Sequence, residues 1–478
     1  MAPPHASDPQ TSTENEPGDV VGRPVDVRDF AARTMFTDAA AGRVGIETES
    51  FVVDPNQPDR PVAPERTRAA LGGDDLNLPG GSSVTFEPGG QLELSGPPAP
   101  LPEALRAMAA DLATVRRRIA DDGLLLAGIG TDPLRAPRRL LTHGRYAAME
   151  EFFRAAECPA GQLMMCSTAA LQVNLDAGPA AGWAQRWRLA HALGPVLSAM
   201  FASSPVLAGR PTGRVSTRQG IWSAIDPTRT APVTPAAELA TAGDPVGQWT
   251  RYLLDARLML IRDPADDDRG AGRYVPVLDG STFGDWVAGA GPVPRRPTVE
   301  DLRYHASTLF PPVRPRGWLE LRYLDAQSAA LWPVAVTVVT ALFDDPKAAD
   351  AARDACEGVA GRWAQASARG LADPALRRAA QCCVTAAVDA APRLGASPAL
   401  TAAVARFAAE FVLRGRCPAD AAMASWRAGG ALAVLLDAAT PADAPASTDA
   451  PRSTGSPRSS GEPRSSGTSQ LTDEPQLA

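Results

Sequence analysis

The residues most able to do chemistry in this chain are glutamates at strand spacing. Gly45-Ile46-Glu47-Thr48-Glu49-Ser50-Phe51 carries two carboxylates two positions apart. Side chains alternate along an extended strand, so Glu47 and Glu49 share one face while Val44, Ile46 and Thr48 take the other. Adjacent carboxylates repel and raise each other's pKa unless a cation lies between them. A Glu-x-Glu alone also suits a solvated sheet face, but three further stretches repeat the pattern. In Phe86-Glu87-Pro88-Gly89-Gly90-Gln91-Leu92-Glu93-Leu94-Ser95, the side chains of Gln91, Glu93 and Ser95 share a face opposite Leu92 and Leu94, and Glu87 follows Thr85 in facing. Ala170 to Asp176 groups Gln172, Asn174 and Asp176 against Leu171, Val173 and Leu175, and Trp318 to Tyr323 groups Trp318, Glu320 and Arg322. If these faces line one sheet, Glu47, Glu49, Glu87, Glu93 and Glu320 converge. An all-oxygen donor set without Cys or clustered His suits a hard cation, Mg²⁺ or Mn²⁺ rather than zinc. Magnesium bridges carboxylates to substrate phosphates, which points to ATP.

The elements that position these residues follow from periodicity. Arg43 to Val53 alternates with period two, and Val84 to Phe86 and Gln91 to Ser95 flank a Glu-Pro-Gly-Gly turn, predicting a hairpin. Leu105, Met108, Leu112, Val115 and Ile119 form one helical stripe over Leu101 to Asp121. Leu124 to Gly130, Met164 to Asp176 and Trp318 to Leu324 read as further strands. Beyond about Ala326 strand signals cease and Ala-rich helices continue to about Ala439. The expectation is an α+β fold with a mostly antiparallel sheet and a helical C-terminal part. Residues 1–25 read as a disordered leader, 26–440 as one catalytic domain and 441–478 as a disordered tail, where Pro-Arg-Ser-[Ser/Thr]-Gly recurs from Pro451, Pro457 and Pro463.

Composition removes several alternatives. Of 47 basic residues in 478, only Lys347 is a lysine, and it lies in Asp-Asp-Pro-Lys-Ala-Ala. No phosphate loop of the G-x-x-x-x-G-K-[ST] type precedes it, and a Schiff-base role is equally unsupported. Phosphate must be held by arginine, backbone or metal. A net charge of −7 without a basic block argues against nucleic acid. No run of about 18 apolar residues predicts a membrane span, and the N-terminus has no apolar signal-peptide core. The six cysteines show no zinc spacing and read as free thiols of a cytoplasmic protein. His305 suits substrate contact or a structural hydrogen bond, His143 and His191 read as structural or exposed, and Cys166 as a small buried hydrophobe. Asp325 is expected to cap or to pair with an arginine, and Trp222 to pack under Arg218 or fill core.

The motifs Gly45-Ile46-Glu47-Thr48-Glu49, Gln91-Leu92-Glu93-Leu94-Ser95-Gly96, Gln172-Val173-Asn174-Leu175-Asp176, Arg218-Gln219-Gly220-Ile221-Trp222 through Asp226-Pro227, and Leu309 through Asp325 occur in the order found in glutamate–cysteine ligases. Between about 27 and 440 the chain most resembles the actinobacterial type assigned to ergothioneine biosynthesis. The resemblance implies a glutamine-synthetase-like site, in which a curved antiparallel sheet holds ATP and several Mg²⁺ ions. It implies formation of γ-glutamylcysteine from L-glutamate, L-cysteine and ATP through a γ-glutamyl phosphate. Joining of glutamate to a different amine stays open as the alternative. By the same resemblance Glu47, Glu49, Glu87, Glu93 and Glu320 are metal ligands. Arg322, with Gln172 and Asn174, contacts the nucleotide, and Arg218 binds the carboxylate of glutamate. Gln172 stands where some relatives carry a metal-binding histidine. Arg218 and Arg322 are the expected catalytic residues, arginine offering a planar fork to carboxylate or phosphate. A lid that keeps water from the acyl phosphate is expected around Gly209 to Thr217 or Arg273 to Phe283.

Overall fold

The structure is a computed structural model and describes residues 18–73, 76–241, 243–263 and 273–440. The expected C-terminal tail, 441–478, and residues 1–17 of the expected leader lie outside the described residues. Residues 18–25 are described and are mostly exposed, with one anchor. Val21 is buried, its N–H donates to the Pro297 carbonyl at 2.8 Å, and a helix opens at Pro24.

Twelve short strands are described. They are β1 (Arg43–Val53), β2 (Ser83–Phe86), β3 (Leu92–Ser95), β4 (Ala99–Pro100), β5 (Leu125–Ala127), β6 (Ala170–Leu175), β7 (Val206–Leu207), β8 (Arg210–Pro211), β9 (Leu260–Asp263), β10 (Arg273–Pro276), β11 (Val313–Pro315) and β12 (Leu319–Asp325). Eight of them form one sheet in the order β11-β12-β6-β1-β3-β2, with β4 and β5 also pairing with β1. Every pairing in it is antiparallel. The fold is thus mixed helix and antiparallel sheet, as expected. The expected strand from Met164 is shorter, because Met164 to Ser167 end the helix Pro159–Ser167 and the strand starts at Ala170. A short apolar run does not by itself distinguish a buried helix from a strand, and Pro159 at the first helical position decides for helix.

The alternation sorts the sheet into a dry face and a polar one. Val44, Ile46, Leu92, Leu94, Leu171, Val173, Leu175, Leu319 and Leu321 are all buried in one core, joined by Leu105, Met108, Leu112, Val115 and Ile119 of the helix Leu101–Asp121. Each such side chain contributes about 1.5–3 kcal/mol through removal from water. Behind the sheet lie the helices Trp183–Met200 and Trp332–Asp344, the latter followed by the C-terminal helices through Pro418–Ala439. Nine described helices begin on proline at Pro24, Pro64, Pro159, Pro227, Pro245, Pro346, Pro374, Pro398 and Pro418. The missing N–H is harmless there and the ring pre-sets the helical φ, so part of the chain's high proline content marks helix starts. No described helix is long and apolar enough to cross a membrane.

Candidate active site

Strand register assembles the polar face. Glu49 pairs across to Glu93, which pairs on to Thr85, while Glu47 stands between Gln172 and Ser95. On the other flank Asn174 is opposite Glu320, and Glu320 is opposite Arg314. The sheet therefore carries a trough. Its one end is marked by the turn after Glu87, its middle by Glu49, Glu93, Glu47 and Gln172, and its far end by Asn174, Glu320 and the bend leading into β12.

The turn at Glu87 is built by two glycines. Gly90 donates to the Glu87 carbonyl at 2.7 Å with φ at +86°, a conformation that L side chains rarely adopt. A Cβ on Gly89 would lie 2.5 Å from the Cys166 carbonyl oxygen. Gly89→Ala is therefore expected to push the turn off the Cys166 backbone, displace Glu87, and lower turnover at least tenfold while the protein stays folded. Turnover near wild type would show that Glu87 does not depend on this close approach.

Glu49, Glu87 and Glu93 present carboxylate oxygens that all lie within 4.8 Å of one another. Glu93 accepts from Thr85 Oγ1 at 2.9 Å and Ser95 Oγ at 3.2 Å, and Glu49 accepts from the Ala170 N–H at 2.8 Å and Gln172 Nε2 at 3.3 Å. Burial raises all three carboxyl pKa values; the Glu49 and Glu93 charges add to it at Glu87, which is held well above the ordinary range, and the Glu49 charge adds to it at Glu93. Glu47, to which Asn174 Nδ2 donates at 2.6 Å, is pushed up to about 7 by burial and then by Glu320 and Glu93. Half-buried and buried carboxylates this close need neutralising. The donor set, all oxygen and already oriented by neighbouring N–H and O–H groups, fits a hard divalent cation.

Glu320 is held differently. Arg314 grips it with a two-point fork, Nε at 2.6 Å and Nη2 at 3.0 Å, Arg322 Nη1 donates at 3.1 Å, and Arg316 Nη1 lies 3.5 Å away. Burial alone would raise this carboxyl, but Arg314 and Arg322 override it and hold it well below the carboxylate range. As a metal ligand Glu320 stands apart from the group of three, because both of its oxygens are engaged by guanidinium groups. Asp176, expected beside Gln172 and Asn174, lies past the end of β6 and accepts from the Arg43 N–H at 2.9 Å.

Arg322 also donates to Gln172 Oε1 at 2.7 Å, and its guanidinium lies 5.8 Å from the Trp222 ring and 6.0 Å from that of Phe310. Arg218, on the helix Thr217–Ser223, is 2% exposed. Its Nη2 donates to the Arg322 carbonyl at 2.9 Å, whereas Nε and Nη1 find no partner and the guanidinium lies 5.6 Å from Trp222. A buried guanidinium with spare donors is costly unless an anion completes it. Burial lowers the Arg218 pKa, opposed by Asp325 and Glu49, so the negative field of the trough reaches it. Asp325 itself accepts from Ser203 N–H, Ser204 Oγ and Ser216 Oγ at 2.9, 2.7 and 2.9 Å, a structural role that holds the start of Arg218's helix.

Residues not singled out from sequence complete the surroundings. Arg314 is the main counter-ion of Glu320. The turn through Pro315, Arg316 and Gly317 that separates it from Glu320 carried the signal, since such a turn pairs its flanks antiparallel. Tyr146 and Tyr304 are raised by burial, and the Glu87 charge adds to the shift at Tyr146. Arg145 donates to Ser307 Oγ and its carbonyl, both at 3.0 Å, and lies 5.0 Å from the Tyr304 ring. With Trp222 and Phe310 these rings pack against one buried apolar cluster that includes Cys166 below the Glu87 turn.

The remaining candidates are structural. His305 is buried with Nε2 3.0 Å from the Leu253 carbonyl, and burial pushes its pKa down to about 3. His191 lies against the Trp187 carbonyl and is pushed to about 4, and His143 caps the helix Gly144–Ala155. All six cysteines are free. Of the two expected lid segments, Gly209 to Thr217 leads directly into Arg218's helix, and Arg273 to Phe283 places Tyr274 5.9 Å from Tyr304.

Comparison with known proteins agrees with this geometry. The family described as glutamate–cysteine ligase family 2 matches residues 43–437. A protein named glutamate–cysteine ligase EgtA from Mycolicibacterium smegmatis is 47% identical over 359 residues, covering 74% of this chain and 82% of that protein. The protein of the same name from Mycobacterium tuberculosis is 46% identical over 400 residues, covering 82% and 88%. A solved structure of a glutamate–cysteine ligase from Francisella tularensis in complex with AMP shares the fold, with a TM-score of 0.51 at 13% identity over 84% of this chain and 88% of that one.

Proposed function

The chain belongs to glutamate–cysteine ligase family 2, and we propose that it joins the γ-carboxyl of L-glutamate to the amine of L-cysteine with conversion of ATP to ADP and phosphate, in service of ergothioneine biosynthesis. The observation that carries this reading is the group Glu49, Glu87 and Glu93, with oxygens within 4.8 Å, on the same polar face as Arg322 and Arg218.

A carboxylate does not react with an amine until its oxygen becomes a leaving group. In this reading the glutamate γ-carboxylate attacks the terminal phosphorus of ATP, giving γ-glutamyl phosphate and ADP. The cysteine amine then attacks the acyl carbon and phosphate departs. Arg218 offers its free Nε and Nη1 donors to the α-carboxylate of glutamate, turning the γ-carboxyl toward the acids. Arg322, backed by Trp222 and Phe310, would hold positive charge against the transferring phosphoryl group, an electrostatic task. The ring cluster of Tyr146, Trp222, Tyr304 and Phe310 shields the acyl phosphate from water. Glu49, Glu87 and Glu93 would hold one Mg²⁺. Glu47, with Asn174 and Gln172 beside it, would share a second with Glu320 once Arg322 and Arg316 turn to phosphate and leave Arg314 in place. Bound Mg²⁺ supplies charge neutralisation on the phosphate oxygens.

The test is phosphate release with ATP, Mg²⁺, L-glutamate and L-cysteine, repeated over a panel of amines. Cysteine is expected to accelerate ADP formation more than any other amine. ADP formation indifferent to cysteine would sink the cysteine reading, and acceleration by a different amine would replace it with the alternative ligase. Lys347 is exposed at the start of the helix Pro346–Cys356. Lys347→Ala is expected to keep kcat and all KM values within about twofold, and loss of activity would show that phosphate handling is not left to arginine and metal.

A further inference from the structure

The ATP reading leaves open where the nucleotide base goes, and the two ends of the trough differ. At the Glu87 end the turn is packed on the Cys166 backbone and the cluster of Tyr146, Trp222, Tyr304 and Phe310 stands beside Arg218. That end has the donors and walls of an amino-acid site. At the other end, past Asn174 and Glu320, the chain turns through Arg316, Gly317 and Trp318 into β12. Trp318 is 38% exposed and is the one exposed aromatic side chain among the described residues. Its ring lies 5.7 Å from the Arg316 guanidinium, whose Nη1 is in turn 3.5 Å from Glu320 Oε1. The indole, the arginine and the last acid of the trough are thus in one line of contact.

The bend that presents the indole is pinned. Gly317 donates to the Met35 carbonyl at 2.9 Å and accepts from the Thr37 N–H at 2.8 Å, and the Arg316 N–H donates to the Trp318 carbonyl at 3.0 Å. Gly317 has φ at +84°, so the turn is made where a side chain would be strained. A large apolar ring, 38% exposed, thus stands on a pinned support beside the Arg316 guanidinium.

We propose that Trp318 and Arg316 form the nucleotide end of the trough: the purine base stacks on the Trp318 indole, and Arg316 turns from Glu320 to the phosphates nearest the ribose. The assignment rests on the ATP reading above. Arg314 keeps Glu320 neutralised when Arg316 leaves, because its two-point fork of 2.6 and 3.0 Å is the tighter grip. Stacking is tolerant of base identity, so GTP binds here almost as well as ATP unless another group reads the base edge.

The experiment measures binding of MgADP and of magnesium tripolyphosphate, which has no base, to the full chain and to Trp318→Ala, Trp318→Phe and Arg316→Gln. Trp318→Ala is expected to weaken ADP about tenfold while leaving tripolyphosphate unchanged, and Trp318→Phe to stay within about threefold of wild type. Arg316→Gln is expected to weaken both probes. In steady state Trp318→Ala raises KM for ATP about tenfold without moving KM for glutamate or cysteine. Wild-type affinity for ADP in Trp318→Ala, or an equal loss of both probes, overturns the stacking assignment alone. Failure of the wild-type chain to bind ADP at all overturns the ATP reading and this assignment with it.

Discussion

Glu87→Gln is expected to lower turnover by at least about 10³-fold and, in the absence of divalent metal, to make the protein more stable. The two effects share one cause. Glu87 is held well above the ordinary carboxyl range by burial and by the charges of Glu49 and Glu93. Glutamine keeps the shape but removes a charge, so the metal-free site is relieved of repulsion while a cation held by the three acids would lose a ligand. A catalytic metal contributes several kcal/mol to transition-state charge stabilisation, and each 1.36 kcal/mol is a factor of ten in rate.

The same groups set the pH dependence of the metal-free protein. Glu47 is shifted from 4.5 to about 7, and the folded pKa lies above the unfolded one. A raised pKa means that the fold prefers the protonated carboxyl, so this contribution is complete below pH 4.5 and is lost as pH rises through 7. With EDTA present, the melting temperature of the wild type should therefore fall between pH 5 and pH 8, and fall less in Glu87→Gln. Mg²⁺ or Mn²⁺ should restore the wild type at pH 8 and help Glu87→Gln much less. A wild-type melting temperature indifferent to both pH and metal, or turnover preserved in Glu87→Gln, would remove Glu87 from the metal group.

The second large effect is at Arg322. Arg322→Ala is expected to lower kcat by about 10³ to 10⁵, the range for an arginine that meets charge on a transferring phosphoryl group. Arg322→Lys should recover little. The guanidinium donates to Gln172 and Glu320 at once, 2.7 and 3.1 Å away, from a position backed by two rings, whereas an ammonium is a compact point charge. The fold should survive, because Arg314 still neutralises Glu320. The metal-free protein should nonetheless lose stability at neutral pH, since Arg322 lowers the carboxyl pKa of Glu47, Glu49, Glu87 and Glu93. Steady-state kinetics with unfolding curves checks both parts. A variant that keeps a tenth of wild-type kcat would place Arg322 outside the phosphoryl site.

The reach of the sequence is clearest in these residues. Alternation with period two fixed which side chains of β1, β3, β6 and β12 share the polar face, because facing is a property of the extended backbone and needs no knowledge of neighbours. The Pro-Gly-Gly turn announced the hairpin that carries Glu87 and Glu93, and a single lysine in a charged turn left phosphate to arginine and metal. Motif order indicated the ligase family before any contact was known. Strand order was not legible. Nothing local shows that β12 lies beside β6 rather than at the other edge, since pairing partners are more than a hundred residues apart. The ring cluster of Tyr146, Trp222, Tyr304 and Phe310 comes from separate segments with no shared periodicity.

The sequence by itself thus determined the donor types, their facing and the class of chemistry. The tertiary structure alone decided how similar glutamates are held. Glu49, Glu87 and Glu93 face one another with oxygens within 4.8 Å, whereas Glu320 is gripped by Arg314. That division is a competition for counter-charge in a buried site of low dielectric, where a guanidinium a few ångströms nearer outweighs any local sequence preference.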